Sequence, residues 1–265
     1  MLRKIATLAL AAGLVAVASP ALATTVLYGG NTNPRFFTID DLSDGSPETS
    51  LSTSGYQIQG LAWDGSNTLY GGNDTRFFSI NVNTNVMTSI NASVSFAIQD
   101  LAFGAGGVLY GGNDNRFFSI DTSTGAMTQI GGTPTYDINA LAYDPVSGTM
   151  YGANSNGNTV GGEKFFTIDT STGAQTLING SVGENINGMA IDPTTGTLYG
   201  SGYGEALVLD TPNFFSINKA TGATTLLNGN TAYDGAALAF VPEPGTMLLL
   251  GMGLVGLGIS GRKKA

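Results

Sequence analysis

Neither cysteine nor histidine occurs anywhere in the 265 residues. The chain therefore lacks disulfides and the commonest general base, which excludes Ser-His-Asp and Cys-His catalysis. Basic residues are also few, because positions 24–240 hold five of them against eighteen acidic residues, a net charge of −13. A domain of this charge repels nucleic acid and anionic lipid, so nucleic acid is not expected as a partner.

The first 23 residues have the composition of an export signal. Arg3 and Lys4 precede an apolar stretch from Ile5 to Ala18. Ala21 and Ala23 then form an A-x-A cleavage pattern. We therefore expect a secretory signal peptide over 1–23 and a mature domain over 24–240.

The last 25 residues combine three features in a fixed order. The triplet Pro242-Glu243-Pro244 comes first, an uncharged apolar run follows over 246–261, and Arg262, Lys263 and Lys264 come after it. At roughly 1.5 Å per residue this run forms a helix of about 24 Å. Such a helix crosses a hydrocarbon core of about 30 Å only with snorkelling ends or local thinning. The basic cluster would stay in the cytoplasm and leave the body of the protein outside.

This order of features resembles the PEP-CTERM sorting signal of bacteria that export proteins through exosortase. The resemblance covers 241–265 and implies membrane threading, cleavage near the triplet, and delivery to the cell surface or extracellular polysaccharide matrix. The partners that it implies are the exosortase-type sorting machinery and, before processing, the membrane. A permanent anchor without cleavage is the alternative.

Between the two signals, one pattern recurs five times at intervals of about forty residues. A tyrosine-glycine strand opens each period, at Tyr28-Gly29, Tyr70-Gly71, Tyr110-Gly111, Tyr151-Gly152 and Tyr199-Gly200. An aromatic pair follows, at Phe36-Phe37, Phe77-Phe78, Phe117-Phe118, Phe165-Phe166 and Phe214-Phe215. After a Thr-rich strand comes a fourth strand with Leu61-Ala62, Leu101-Ala102, Leu141-Ala142, Met189-Ala190 or Leu238-Ala239. Four short strands per period are typical of β-propeller blades.

We predict an all-β fold, a β-propeller of five four-stranded blades. The repeats begin with a tyrosine-glycine strand (Thr25 to Gly30) and finish with a Leu-Ala strand (Ala236 to Phe240), which are hairpin partners elsewhere in the chain. Pairing these two strands would complete the fifth blade and close the ring. The repeats resemble NHL-type and other six-to-seven-bladed bacterial propellers, which implies that the Leu-Ala strand is innermost. Because only five repeats are present, a partial ring or a dimer that completes it is the alternative.

The turns of the repeats follow one chemical rule. Gly125, Gly173 and Gly222 stand where a hairpin needs a positive φ, and the second repeat has Asn85 there, the residue type that best tolerates this conformation after glycine. Aspartates 144 and 192 begin Asp-Pro turns, and we expect them to be structural.

Residues just before each Leu-Ala strand align across the repeats and would surround one mouth of the central channel. Aromatic residues stand five positions before the Leu at Tyr56, Phe96, Tyr136 and Tyr233, with Glu184 in the remaining repeat. Polar positions nearer the strand include Asp137 and Asp234, then Gln59, Gln99, Asn139 and Asn187. Amides bind hydroxyls as donors and acceptors, and aromatic rings cover a sugar's apolar face, so these are the candidate binding residues. The alternative is that the amides satisfy backbone groups and the rings pack between blades.

Two loops between the tyrosine strand and the aromatic pair are enlarged, over 152–164 and 200–213. We expect both on the same face as the mouth, with Tyr203 as a further candidate contact; the alternative is neutral insertion in exposed loops. Cations precede the aromatic pair at Arg35, Arg76, Arg116 and Lys164, and we expect each to pair with a carboxylate or to cover an aromatic ring.

No cofactor is indicated by the sequence. Asp74 and Asp114 could offer oxygen ligands to calcium, although no twelve-residue calcium loop surrounds them. We therefore predict an exported, noncatalytic propeller that binds exopolysaccharide or a surface protein. Two alternatives stay open: a purely structural matrix component, and a hydrolase of sugars or lactones that uses Asp137, Glu184 and Asp234.

Overall fold

The computed structural model describes residues 25–43, 48–53, 55–155, 162–204, 212–229 and 237–242. Within these ranges the chain forms β-strands and one 3-10 helix at Ala105–Gly107. The strands are β1 (Thr25–Gly30), β2 (Arg35–Ile39), β3 (Glu48–Thr53), β4 (Gly60–Trp63), β5 (Thr68–Gly72), β6 (Phe77–Asn81), β7 (Met87–Asn91), β8 (Asp100–Phe103), β9 (Leu109–Asn113), β10 (Arg116–Ile120), β11 (Met127–Ile130), β12 (Ala140–Asp144), β13 (Thr149–Ala153), β14 (Phe165–Ile168), β15 (Gln175–Asn179), β16 (Glu184–Ile191), β17 (Leu198–Gly204), β18 (Pro212–Ile217), β19 (Thr224–Gly229) and β20 (Ala237–Pro242).

These strands form five antiparallel sheets of four strands, and each sheet is one blade. The first blade has the order β20-β1-β2-β3, and the second to fifth blades are β4–β7, β8–β11, β12–β15 and β16–β19. The strands β4, β8, β12, β16 and β20 contact one another in turn around the axis. The prediction of a five-bladed, all-β propeller with the Leu-Ala strand innermost is therefore confirmed.

The ring is closed by the two strands furthest apart in the sequence. β1 pairs with β20 over six residues, from Thr25 opposite Pro242 to Gly30 opposite Ala237. The first blade is thus built from both ends of the domain, as the sequence predicts. One chain closes the ring by itself, without a second copy. Each inner strand, including β20, is paired with the next strand of its blade.

Contacts between the tyrosine strand and the aromatic pair explain why their residue types recur. Each tyrosine stacks on the first phenylalanine of the pair, with ring centroids 5.4 to 5.6 Å apart. The glycine after the tyrosine makes room for the second phenylalanine, because a Cβ on Gly71 would lie 2.3 Å from the Phe78 ring. All ten phenylalanines of the pairs are at most 1% exposed. They form the central layer of every blade.

Five apolar clusters lie between neighbouring blades, and the Leu-Ala pair joins them. Ala62 of the second blade shares a cluster with Leu101 of the third, and Ala102 shares the next one with Leu141 of the fourth. The same relation holds around the ring, since successive residues of a strand point to opposite faces. A small residue on one inner strand therefore accommodates the leucine of the next.

The turns have the conformations that the sequence predicts. Gly125, Gly173 and Gly222 have φ values of 70°, 73° and 66°, and Asn85 has a φ of 57° at the equivalent position. Asp144 accepts the N–H of Val146 at 2.9 Å within its Asp-Pro turn. The corresponding carboxylate, Asp192, accepts the N–H of Thr194 at 2.8 Å. Both aspartates are structural.

The contacts of the chain define a body over Thr24–Glu243, which contains all the strands given above. A second unit consists of Met1–Ala23 and Pro244–Ala265 and lies outside the described residues. The predicted signal peptide, the apolar run 246–261 and the sorting-signal residues apart from Pro242 therefore lie outside them as well. In the described part of the chain, no helix has both the length and the hydropathy needed to cross a bilayer.

Candidate functional site

The polar residues at the start of the inner strands lie at one end of the channel. We call this set the amide mouth and define it as Gln59, Gln99, Asn139 and Asn187. The enlarged loop after β17 begins at the same end, because Gly204 pairs with Glu184 at the start of the inner strand β16. The structure therefore brings four of the predicted site residues and one enlarged loop to a common face.

Two of the predicted aromatic residues, Tyr56 and Phe96, lie between a buried ring and a cation. Tyr56 packs against Phe78 at 5.1 Å between centroids, and the Arg76 guanidinium carbon lies 5.2 Å from its centroid. In the third blade, Phe96 packs against Phe118 at 5.4 Å between centroids, and the Arg116 guanidinium carbon lies 4.6 Å from the Phe96 centroid. These arginines cover aromatic rings, which is one of the two roles predicted for them.

Tyr136 occupies the equivalent place in the fourth blade. Its ring packs against Phe166 at 5.3 Å between centroids. Gln175 holds the backbone on both sides, because its Oε1 accepts the Tyr136 N–H at 2.7 Å and its Nε2 donates to the Tyr136 carbonyl at 2.9 Å. The ring is half-buried. Of the other predicted contacts, Tyr233 and Asp234 lie outside the described residues, as does the side chain of Tyr203.

Two members of the amide mouth, Gln99 and Asn139, are hydrogen-bonded to each other, and Ser155 extends this network to Asn185 of the fifth blade. Asn139 Nδ2 donates to Gln99 Oε1 at 3.1 Å and lies 3.3 Å from Asp114 Oδ1. Asn139 Oδ1 accepts the backbone N–H of Ser155 at 2.7 Å, and the Ser155 hydroxyl donates to Asn185 Oδ1 at 3.3 Å. Side chains of the third, fourth and fifth blades thus form one polar network at the mouth.

The remaining amides of the mouth differ from one another. The register of β16 with β17 shifts between Ile186 and Gly188, which places Asn187 in a β-bulge. Bulges redirect side chains at the ends of strands. Gln59 Oε1 is shielded from solvent and has no hydrogen-bond partner among the described residues. This oxygen is an acceptor that the described part of the protein leaves unpaired.

Acidic side chains lie beside this network. Partial burial raises the pKa of Asp137, and the charge of neighbouring Asp114 raises it further. Glu184 Oε2 accepts a hydrogen bond of 3.0 Å from Asn213 Nδ2. Within the described residues, no group of three or more acidic side chains is arranged to hold a metal ion.

A buried carboxylate that the sequence interpretation missed lies at the centre of the ring. Asp100 is 0% exposed, and its two oxygens accept the backbone N–H groups of Leu101 at 2.8 Å and Leu141 at 2.7 Å. The N–H groups of Leu61 and Met189 are also hydrogen-bonded to this carboxylate. One side chain therefore joins the inner strands of four blades.

The position of this carboxylate follows from the geometry of the inner strands. Each inner strand pairs with a neighbour on its outer side only, so alternate N–H groups face the axis and need an acceptor. Burial raises the pKa of Asp100 well above its usual range, while the four N–H donors act in the opposite direction. The signal in the sequence is the residue directly before the Leu-Ala pair. Asp100 occupies this position in one repeat, and the four other repeats have glycine or alanine there, at Gly60, Ala140, Gly188 and Ala237.

The opposite end of the channel opens into an apolar cavity of about 290 Å³. Its wall includes one residue from each inner strand, two positions after the leucine or methionine, and we call these five the aromatic funnel: Trp63, Phe103, Tyr143, Ile191 and Phe240. Pro145 and Pro193 extend the wall outward, and the leucines and methionine of the inner strands line its deeper part. The channel thus has a polar mouth at one end and an apolar funnel at the other.

Comparisons with known proteins agree with this architecture. Residues 43–137 match a family described as a repeat of unknown function (DUF6923). No curated protein matches the chain. The chain is similar to a structure from a nidogen/laminin complex, with 16% identity, 82% of both chains covered and a TM-score of 0.59. It is also similar to a gluconolactonase from Xanthomonas campestris, with 12% identity, 81% of this chain and 79% of that chain covered and a TM-score of 0.50.

At these identities the two structures show the propeller fold alone. A separate match concerns the end of the chain, where residues 240–264 fit the model of the PEP-CTERM protein-sorting motif. This range contains the Pro-Glu-Pro triplet, the apolar run and the basic cluster from which the resemblance was inferred. The chain is an exported five-bladed β-propeller that carries a PEP-CTERM sorting motif.

Proposed function

We propose that this protein is a noncatalytic binding module of the cell surface or extracellular matrix, and that its amide mouth binds a glycan. The observation that carries the proposal is the polar network through Gln99, Asn139 and Asn185, which crosses three blades at the mouth of a rigid ring. Amides and hydroxyls arranged in this way match the alternating donors and acceptors of a sugar. Sorting by exosortase would deliver the protein to an environment rich in such polymers.

Other asparagines on the same face show what a purely structural amide does. Asn73 Nδ2 donates to the Gln57 carbonyl at 2.8 Å, and Asn113 Nδ2 donates to the Ala97 carbonyl at 2.7 Å. These amides satisfy backbone groups. Asn139 combines two roles, because its Oδ1 accepts the Ser155 backbone N–H while its Nδ2 is directed to other side chains. Side-chain partners can turn toward a ligand hydroxyl at lower cost than the backbone can.

The aromatic residues support binding less directly. Arg76 and Arg116 lie over Tyr56 and Phe96, so a sugar would meet the arginine before these rings. We propose that these two rings support the mouth, and that Tyr136 is the aromatic residue that contacts a ligand. The charge of the body, −13 over 24–240, favours a neutral glycan over an anionic one.

The experiment is a glycan array probed with the body Thr24–Glu243, which contains its own closed ring and its five apolar clusters. Saturable binding to one class of neutral exopolysaccharide is expected. The double variant Gln99→Ala/Asn139→Ala should weaken this binding by about tenfold or more, since each lost hydrogen bond contributes on the order of 1 kcal/mol. Asn83→Ala is the matched control, because Asn83 is exposed in the turn after β6 at the opposite face.

Three other results would point elsewhere. No binding on the array would overturn the glycan proposal and favour a structural role, which predicts weaker matrix cohesion when the protein is deleted. Binding of a surface protein instead of a glycan would indicate that the mouth is a protein-binding site. Turnover of a glycoside or lactone that is lost in Asp137→Asn would favour the hydrolase alternative.

A further inference from the structure

The aromatic funnel is a separate site whose chemistry differs from that of the amide mouth. Trp63, Phe103 and Tyr143 are half-buried at its wall, and Phe240 is 6% exposed. The Asp100 carboxylate and the inner strands that it joins lie between the mouth and the funnel. The cavity is therefore approached from the outer face that carries the Asp-Pro turns.

The wall of the funnel offers mainly rings and aliphatic groups, and the Tyr143 hydroxyl and backbone atoms are its polar groups. The Trp63 Nε1–H already donates to the Ser66 carbonyl at 3.2 Å, so the indole presents its ring. Phe103 meets Tyr70 edge-on at 5.8 Å, and Phe240 contacts Tyr199 at 5.7 Å, which holds both rings in place. A phosphate would lose its hydration here without meeting a basic residue, so the wall selects against anions.

The side chains that line the cavity are uncharged, and acidic residues follow part of its wall in the sequence. An aspartate directly follows three of the wall residues, at positions 64, 144 and 192. Hydrogen bonds with Thr194 and Thr195 outweigh partial burial and hold the pKa of Asp192 below its usual range, so this group stays ionised. Its charge contributes to the raised pKa of Tyr199, whose ring contacts the funnel residue Phe240.

Little positive charge offsets this arrangement. Lys219 Nζ lies 2.7 Å from Asp144 Oδ2 and neutralises that carboxylate. No basic residue lines the described cavity. Aspartates 64 and 192 therefore add to the acidic field of the body. An apolar wall of aromatic faces within a negative field is the environment that stabilises an organic cation.

We infer that the aromatic funnel binds a small organic cation with an apolar body, of the quaternary ammonium class. Its alkyl groups would fill the cavity between the indole and phenyl faces, and its charge would interact with those faces and with the nearby carboxylates. The inference does not depend on the amide mouth, since the two sites lie at opposite ends of the channel and use different residues.

The chain has a single tryptophan, Trp63, and it lies in the funnel wall, so its fluorescence reports on this site directly. The body Thr24–Glu243 would be titrated with choline, with its neutral isostere 3,3-dimethylbutan-1-ol, and with the anion 3,3-dimethylbutanoate. We expect a saturable change with choline, an affinity for the neutral isostere that is roughly three- to thirtyfold lower, and no saturation with the anion. The choline affinity should also fall as sodium chloride is added, because salt screens the carboxylates.

Phe103→Ala removes one aromatic face and should lower the choline affinity by roughly three- to thirtyfold. Leu226→Ala is the control, because it removes an exposed apolar side chain that does not line the cavity. Equal binding of choline and its neutral isostere would overturn the inference. No saturable change with choline up to about 10 mM, roughly ten times the Kd of a weak site of about 1 mM, would overturn it as well. The comparison of the three ligands uses the unmodified body and stands even where a variant fails to fold.

Discussion

The Asp100 carboxylate of the third blade accepts the backbone N–H of Leu141 in the fourth blade at 2.7 Å. The same carboxylate is hydrogen-bonded to N–H groups of the second and fifth blades. A closed propeller leaves such donors facing a narrow axis where no strand can pair with them. One acidic residue in one repeat therefore meets a requirement that the ring as a whole creates.

Replacing this carboxylate should destabilise the domain by more than the loss of one hydrogen bond, because four backbone donors lose their acceptor. Asp100→Ala leaves four buried N–H groups without their acceptor, and each unsatisfied buried group costs about 1–3 kcal/mol. We expect a loss of at least about 3 kcal/mol in the free energy of unfolding, measured by urea denaturation of the body. Ala140→Gly, at the equivalent position of the next repeat, removes no acceptor and is the control. A loss below about 1 kcal/mol in Asp100→Ala would contradict this role.

The pH dependence of stability should carry the signature of the same group. Because burial raises its pKa, the folded protein binds a proton that the unfolded chain releases above a pKa of about 3.9. The resulting stability is fully present below the unfolded pKa and is lost as pH rises through the folded pKa. The midpoint of thermal unfolding should therefore be higher at pH 5 than at pH 8.

The absence of histidine makes this measurement specific. Apart from the amino terminus, no side chain of ordinary pKa titrates between pH 5 and pH 8 in a chain without histidine or cysteine. Burial and the charge of Asp114 also raise the pKa of Asp137, so Asp137→Asn is the control for its contribution. The turn aspartates 121, 144, 169 and 192 have lowered pKa values, so their contribution is lost only as pH falls below the usual range of aspartate. In Asp100→Asn, the midpoint of thermal unfolding should differ less between pH 5 and pH 8. The same difference as in the wild type would mean that another group causes the pH dependence.

Glycines beneath the aromatic layer should tolerate no side chain. Gly71→Ala places a Cβ 2.3 Å from the buried Phe78 ring, and overpacking of this kind costs about 1–3 kcal/mol. Gly132→Ala is the matched control, because no heavy atom lies within 4 Å of the Cβ that it adds. We expect the control to unfold within about 0.5 kcal/mol of the wild type. Equal effects at both sites would show that the Phe78 ring moves aside freely.

Removal of the closing strand should abolish the cooperative fold. A body that ends at residue 236 lacks β20 and therefore exposes the edge of β1 and one flank of β4. Exposed edges of this kind pair with other chains, so we expect association and a broad thermal transition. Light scattering would measure the association and calorimetry the width of the transition, each in comparison with the body Thr24–Glu243. A sharp transition in the monomeric truncated form would mean that four blades suffice.

The blade architecture could be predicted from the sequence because each recurring residue type serves a local contact. A glycine must lie beneath Phe78, and a small residue such as Ala62 must face Leu101, so spacing alone indicates the strands and their order. The role of Asp100 could not be predicted in this way. The four N–H groups that it accepts come from four repeats and converge only after the ring has closed.

The two ends of the channel show a similar division. Alignment placed Gln99 and Asn139 at a mouth, but the distance between their side chains depends on how closely adjacent blades pack. The funnel residues Trp63 and Phe103 fit a strand pattern that also describes ordinary core residues. Their shared position two residues after each leucine is visible in the sequence, whereas the cavity between them is a property of the assembled ring.

Pairing between β1 and β20 makes closure of the ring depend on both ends of the body. The first blade cannot be completed until the last strand of the domain is available to pair with β1. Domains whose contacts span the full chain fold late for this reason. The sorting motif begins within β20, at residue 240. The strand that completes the ring therefore shares residues 240–242 with the sorting motif, so one short segment belongs both to the closed fold and to the export signal.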